Sequence, residues 1–419
     1  MKTIFQGAIW SLLFLLVFIQ CSKVPDTPVV PKSSAKTLTN PSIDGITGIS
    51  FSFDAATSTY TTVVPFGTDI TALKISFTLP TSATVKPASG SVQNLTNPVT
   101  YMVTAEDGST QNYIVKVNVA APPIPTAKYT LSIDRYNSPA TLTINGDNSG
   151  DNVSIKISLI DKGQLSSSAT QKFTTTLPSS GLYIVEYLVR NSAGISSKTD
   201  SLIIFENGPV SSFYDVKLSG ITVRVRNRDV DKPSNQSKFL FLNQRIKRMM
   251  GQVPEWAYQS FINTTIWVDD INKENAALVY NPSEAYLIQI GDLKEKAKGI
   301  EISNLTNFVN WIKGEQAEAI LHENAHAYHD KVLTNGFNNQ MVLDAFSNSM
   351  KTGKYELVDY IRGGKFKHYA TTNAIEYFAE MTESYFGIND YYPFNREQLR
   401  VFDPIAFELM QKVWEQKLK

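Results

Sequence analysis

The chain changes character near residue 206, and that change limits what it can fold into more than any single motif. From residue 40 to 205 it is rich in Thr, Ser, Val and Ile and holds no histidine; His322, His326, His329 and His368 all lie beyond. In the first part, short runs alternate polar and apolar residues between turn residues, as half-buried strands of all-β sandwiches do. Residues 59–64 and 113–119 alternate in this way, and Glu106-Asp107-Gly108-Ser109 reads as a hairpin turn. A second set covers 153–160, 181–190 and 197–205. Between the sets, Ala121-Pro122-Pro123-Ile124-Pro125 is a stiff extended linker. Beyond it, 221–225, 265–268 and 300–302 read as strands and 238–250 as a helix. The expected fold class is multidomain: two all-β sandwiches over 42–120 and 128–206, then an α+β domain over 214–419.

The start of the chain reads as an export signal. Lys2 precedes the apolar run Ile9 to Ile19, and the only cysteine, Cys21, follows at once. That run is shorter than the ~20 residues a membrane span needs. The arrangement looks like a bacterial lipoprotein signal over 1–20, with Cys21 lipidated and 21–41 a flexible tether; Gln20 departs from the small residue usual before the cysteine. The expected location is the outer membrane or cell surface of a Gram-negative bacterium, with a lipid anchor at Cys21. A lone cysteine rules out a disulfide framework. Lys and Arg total 39 against 39 Asp and Glu, so no basic excess points to nucleic acid.

His322-Glu323-Asn324-Ala325-His326 carries the chemistry. On a helix, residues four apart share a face, and two imidazole nitrogens there can reach one zinc ion at about 2.0–2.1 Å. Glu323 is then placed as general base. Residues 315–332 contain no Gly or Pro, which suits a helix. A catalytic zinc usually takes three protein ligands. The spacing of Glu376 and Glu380, four apart on a later helical segment, makes Glu376 the candidate third ligand and Glu380 the residue that orients a ligand. His368 is the rival third ligand, and His329 an ordinary polar position.

The run His368-Tyr369-Ala370-Thr371-Thr372-Asn373-Ala374-Ile375-Glu376-Tyr377-Phe378-Ala379-Glu380 resembles the zinc-site segment of anthrax lethal factor-like gluzincin peptidases. The resemblance spans roughly 214–419. It implies a zincin-like metallopeptidase domain with Zn2+ on His322, His326 and Glu376, Glu323 as catalytic base, and Tyr369 as donor to the developing oxyanion. It also suggests that an edge strand near the site pairs with extended substrate, a role given to residues 299–303. The first sandwich, through Tyr101 to Gly108, resembles immunoglobulin-like or cadherin-like modules of bacterial surface lipoproteins, and the second a PKD-type sandwich. Asn145 to Asn152 reads as a turn rather than a calcium loop, because Ser158 stands where the loop's closing glutamate belongs.

The function expected from these features is zinc-dependent hydrolysis of peptide bonds in extracellular or periplasmic proteins. The alternative is a surface adhesin or glycan-binding lipoprotein whose last domain is not catalytic. An aminopeptidase would need an acidic group for the substrate amine, which the sequence does not single out.

Overall fold

A computed structural model describes residues 30–147, 151–271, 278–314 and 316–417. The signal segment, Cys21 and residues 148–150 of the Asn-rich turn lie outside the described residues. The chain divides into two compact units, 1–123 and 124–419, at the proline-rich linker.

In the first unit, alternation becomes a sandwich. Thr59–Val64 buries Tyr60, Thr62 and Val64 and turns the residues between them outward. It pairs in parallel with Thr110–Val119, which pairs antiparallel with Val99–Thr104. Ser52–Asp54 and Thr84–Lys86 complete a five-stranded sheet. A three-stranded sheet of Thr39–Ile43, Leu73–Thr78 and Val92–Gln93 shares its core, with Ile75, Tyr101, Val103 and Val115 fully buried. The hairpin at 105–109 needs Gly108, whose φ of +85° is unfavourable for other residues. Residues 39–41, expected in the tether, belong instead to the first strand, because Leu38 and Ile43 are buried on either side.

The second unit opens with another sandwich. Lys172–Leu177, Ala140–Gly146 and Tyr129–Ile133 form one sheet, and Gly163–Ser168, Asn152–Leu159, Gly181–Asn191 and Gly194–Ile204 the other. Its last strand runs directly into the next core. Ile203 and Phe205 pack there with Phe239, and the Gln236 amide accepts from Ile203 N–H at 2.9 Å and donates to Ile203 C=O at 3.2 Å.

A six-stranded mixed sheet follows, in the order Glu206–Asn207, Phe213–Leu218, Ile221–Arg226, Ile266–Val268, Ile300–Ile302, Val279–Tyr280. The two short parallel strands, Ile266–Val268 and Ile300–Ile302, are buried at every residue, as strands covered on both faces are. Ile300–Ile302 is therefore interior. The edge is Val279–Tyr280, so the substrate-pairing role expected of 299–303 has no free edge there. Glu301 obscured this in the sequence: it is buried, with its charge met by Lys296 at 2.6 Å. Helices Gln236–Gln252, Ala319–Lys331 and Ala374–Phe386 share one core with the sheet, and Ala319–Lys331 packs on each of the other two. The chain is thus multidomain, with β-rich modules before a helical C-terminal region.

Candidate metal centre

Helix Ala319–Lys331 is buried around most of its circumference, including Ala319, Ile320, Leu321, Ala325, Ala327 and Tyr328. His322 and His326 stand on successive turns, rings 4.6 Å apart and nearly perpendicular. Helix Ala374–Phe386 starts at Asn373, whose side-chain oxygen accepts from the N–H groups of Ile375 and Glu376 at 2.8 and 2.9 Å. That cap places Glu376 in the first turn, where the helix end favours a carboxylate.

The two helices bring three donor atoms together. Glu376 Oε2 lies 3.2 Å from His322 Nε2 and 3.3 Å from His326 Nε2. Bonds of about 2.1 Å at a tetrahedral ion put ligand atoms roughly 3.4 Å apart. Glu323 adds another donor: with His322 and His326 it offers ligand atoms within 4.8 Å of one another. The electrostatics agree. Burial disfavours charge on His322, yet Glu376 and Glu383 outweigh it and hold its pKa well above the ordinary value. Burial likewise opposes charge on Glu376, but hydrogen bonds from both imidazoles keep its carboxyl well below the usual range. A site that holds positive charge this strongly, with two imidazoles and a carboxylate at these separations, fits a zinc ion.

The orienting carboxylate is not the expected one. Glu383 Oε1 accepts from His322 Nδ1 at 2.5 Å, whereas Glu380 stands at 3.7 Å and accepts from Asn389 Nδ2 at 2.9 Å. Burial and the charge of Glu383 push the Glu380 carboxyl well above the carboxylate range. Glu376, Glu380 and Glu383 follow the i, i+4, i+7 spacing of one helix face, the signal that finds Glu383. Glu383→Ala should weaken zinc binding roughly 10–100-fold, the usual cost of losing a ligand's hydrogen-bond partner. Chelator competition measures this, and unchanged affinity would remove Glu383 from the site.

Glu323 accepts a hydrogen bond from Tyr280 N–H at 2.7 Å. Tyr369, in the single turn Tyr369–Thr371, is half-exposed and lines the same cleft of about 640 Å³. Burial, then the charge of Glu376, raises the Tyr369 phenol and keeps its proton available to donate. Trp311, Phe337, Tyr360 and Tyr391 add aromatic walls; apart from the two histidines, every charged lining residue is acidic.

The other histidines are structural. His368, the rival ligand, is buried with Nδ1 accepting from Ala370 N–H at 3.0 Å and its ring stacked on Tyr391. His329 is enclosed between Phe337 and Phe378. Burial lowers their pKa values to about 3 and about 4. Both are neutral when folded, while the unfolded chain takes up protons near 6.5. The stability these two residues contribute should therefore be intact above about pH 6.5 and fall as pH drops toward 3–4. Urea unfolding at pH 7 and 5 tests this. His368→Asn, which keeps an acceptor for Ala370, should flatten the decline; an unchanged slope would clear His368 of it.

Comparison with known proteins adds a family for one module. Residues 39–117 match the family described as SGBP, N-terminal, a module of starch- and glycan-binding proteins. No curated protein matches the chain. Among solved structures, a protein of Bacteroides fragilis described as secreted is 19% identical, over 22% of this chain and 100% of its own, with a TM-score of 0.18. One of Bacteroides thetaiotaomicron described as a glycoside hydrolase is 12% identical, over 42% and 84%, with a TM-score of 0.20. The ectodomain of mouse nectin-like molecule 4 is 15% identical, over 33% and 61%, at 0.16. The protein is a cell-surface or secreted one, and no helix among the described residues is long and apolar enough to cross a membrane.

The family match corrects the recognition drawn from the motif segments. The identification with lethal factor-like gluzincin peptidases, and the metalloprotease label that came with it, give way to the surface glycan-binding family matched at 39–117. Family resemblance thus lends no weight to the metal site, which stands on its side-chain geometry.

Proposed function

We propose that this is a surface glycan-binding protein whose C-terminal region carries a zinc-dependent hydrolytic centre. The match at 39–117 favours the glycan-binding half, first considered as the alternative. The hydrolytic half rests on one observation: Glu376 Oε2 lies 3.2 and 3.3 Å from the Nε2 atoms of His322 and His326, beside Glu323. Zinc would be held by those three residues, and there it supplies Lewis acidity and lowers the pKa of water to about 7. Glu323, held at Oε2 by Tyr280 N–H, offers Oε1 to take a proton from the attacking water and return it to the leaving amine. The Tyr369 phenol, kept protonated, donates to the oxygen that gains charge. The substrate class is an amide, borne by a peptide or by a glycan-substituted molecule. A lipidated Cys21 would tether the protein to the membrane.

A glycan array and a peptide-library digest of the full-length, zinc-loaded protein test the two halves separately. Glycan binding with cleavage supports the whole reading. Binding without cleavage or tightly held zinc leaves a non-catalytic glycan-binding protein. No binding to any glycan overturns the first half.

A further inference from the structure

Among the described residues, the edge strand Val279–Tyr280 pairs on one side only. Val279 lies opposite Glu301 and Tyr280 opposite Ile300, while Asn281 N–H donates to Gly299 C=O at 2.9 Å. Main-chain groups alternate along a strand, so those of Tyr280 point away from the sheet, toward the cleft. Such outward groups are ordinarily unpaired at an edge. Here the Tyr280 N–H donates to Glu323 Oε2 at 2.7 Å. The side chain of the same residue makes a second link to the same helix. Its phenol donates to Asp330 Oδ2 at 2.7 Å, and Lys298 Nζ holds that oxygen at 2.5 Å. Glu323 and Asp330 stand seven residues apart, on one face of helix Ala319–Lys331. One tyrosine therefore ties the edge strand to the helix at two points, two turns apart.

We propose that Tyr280 is a positioning residue for Glu323: its main-chain N–H fixes the carboxylate, and its phenol, anchored by Asp330 and Lys298, holds that N–H in place. This rests on the hydrolytic reading of the site. A charge-assisted bond to one carboxylate oxygen limits rotation of the side chain and leaves the other oxygen to face the attacking water. It also occupies the outward Tyr280 N–H, a donor that an extended ligand could otherwise use for β-pairing.

Hydrogen–deuterium exchange of the Tyr280 amide in the full-length protein reads the bond without substrate or metal. Glu323→Ala should speed that exchange roughly tenfold, and Tyr280→Phe and Asp330→Asn should speed it in the same direction. With a library of unstructured peptides as probe, Tyr280→Phe should lower kcat roughly tenfold at unchanged KM. Exchange unaltered in Glu323→Ala overturns the proposal. A rise in KM alone overturns it too, because it makes the strand a docking edge. Should Tyr280→Phe fold poorly, Asp330→Asn carries the same readouts. A protected amide in a wild-type protein that cleaves nothing defeats the hydrolytic reading, and the positioning role with it, by a signature distinct from a failed exchange test.

Discussion

Glu323→Gln should leave the zinc content of the protein unchanged and lower its turnover of a peptide library by roughly 10²–10⁴-fold, the usual contribution of a general base. The metal should stay because Glu376, not Glu323, closes the ligand set with the two imidazoles at 3.2–3.3 Å. The geometry should stay because the glutamine oxygen still accepts from Tyr280 N–H, now 2.7 Å from Glu323 Oε2. Only the capacity to take a proton is lost. Metal analysis by mass spectrometry and initial cleavage rates, measured together, decide it. Turnover equal to wild type would remove Glu323 from the reaction. Loss of zinc in the variant would make Glu323 a ligand rather than a base.

Lys296→Met should destabilise the second unit by about 3–5 kcal/mol, the cost of leaving a buried ionic partner uncompensated. Lys296 is 1% exposed, and its ammonium lies 2.6 Å from Glu301, 2.8 Å from Asp292 and 3.6 Å from Asp269. Burial alone would depress its pKa, but hydrogen bonds to Asp292 and Glu301 outweigh that and raise it. The three carboxylates do not suffer equally. Asp269 keeps Arg226 and Arg228, and Asp292 is partly open to water, whereas Glu301 loses its close cation. The double change Lys296→Met with Glu301→Leu should therefore recover most of the loss, as apolar replacement of whole buried pairs often does. Urea denaturation of the single and double variants measures this. A single variant within about 0.5 kcal/mol of wild type would show the network to be incidental. Because Glu301 sits in the strand that backs Val279–Tyr280, the same lesion should loosen the edge on which Tyr280 meets Glu323.

Spacing made much of the centre legible. Four-residue steps put His322 with His326 and Glu376 with Glu380 on shared faces, because helical geometry repeats whatever surrounds it. The same local rule made Thr59–Val64 and Gly181–Asn191 readable as strands. It could not choose between Glu380 and Glu383, which both face inward from one helix; that depends on how helix Ala374–Phe386 crosses its neighbour. Nor could it find the edge at Val279–Tyr280, a strand of two residues defined entirely by its pairing. The family of the first sandwich was missed for a related reason. Alternating Thr, Val and Ile specify a half-buried sheet without specifying which family built it.

Sequence alone determined the sequence of modules, the change from alternating strands to helices, and the residues able to gather around a cation, since each follows from periodicities of a few residues. Tertiary structure alone decided which carboxylate supports His322, that Ile203 and Phe205 join the second sandwich to the next core, and that a backbone amide from a distant edge strand holds Glu323. Those contacts join positions tens of residues apart, and a one-dimensional period carries no information about which buried faces meet.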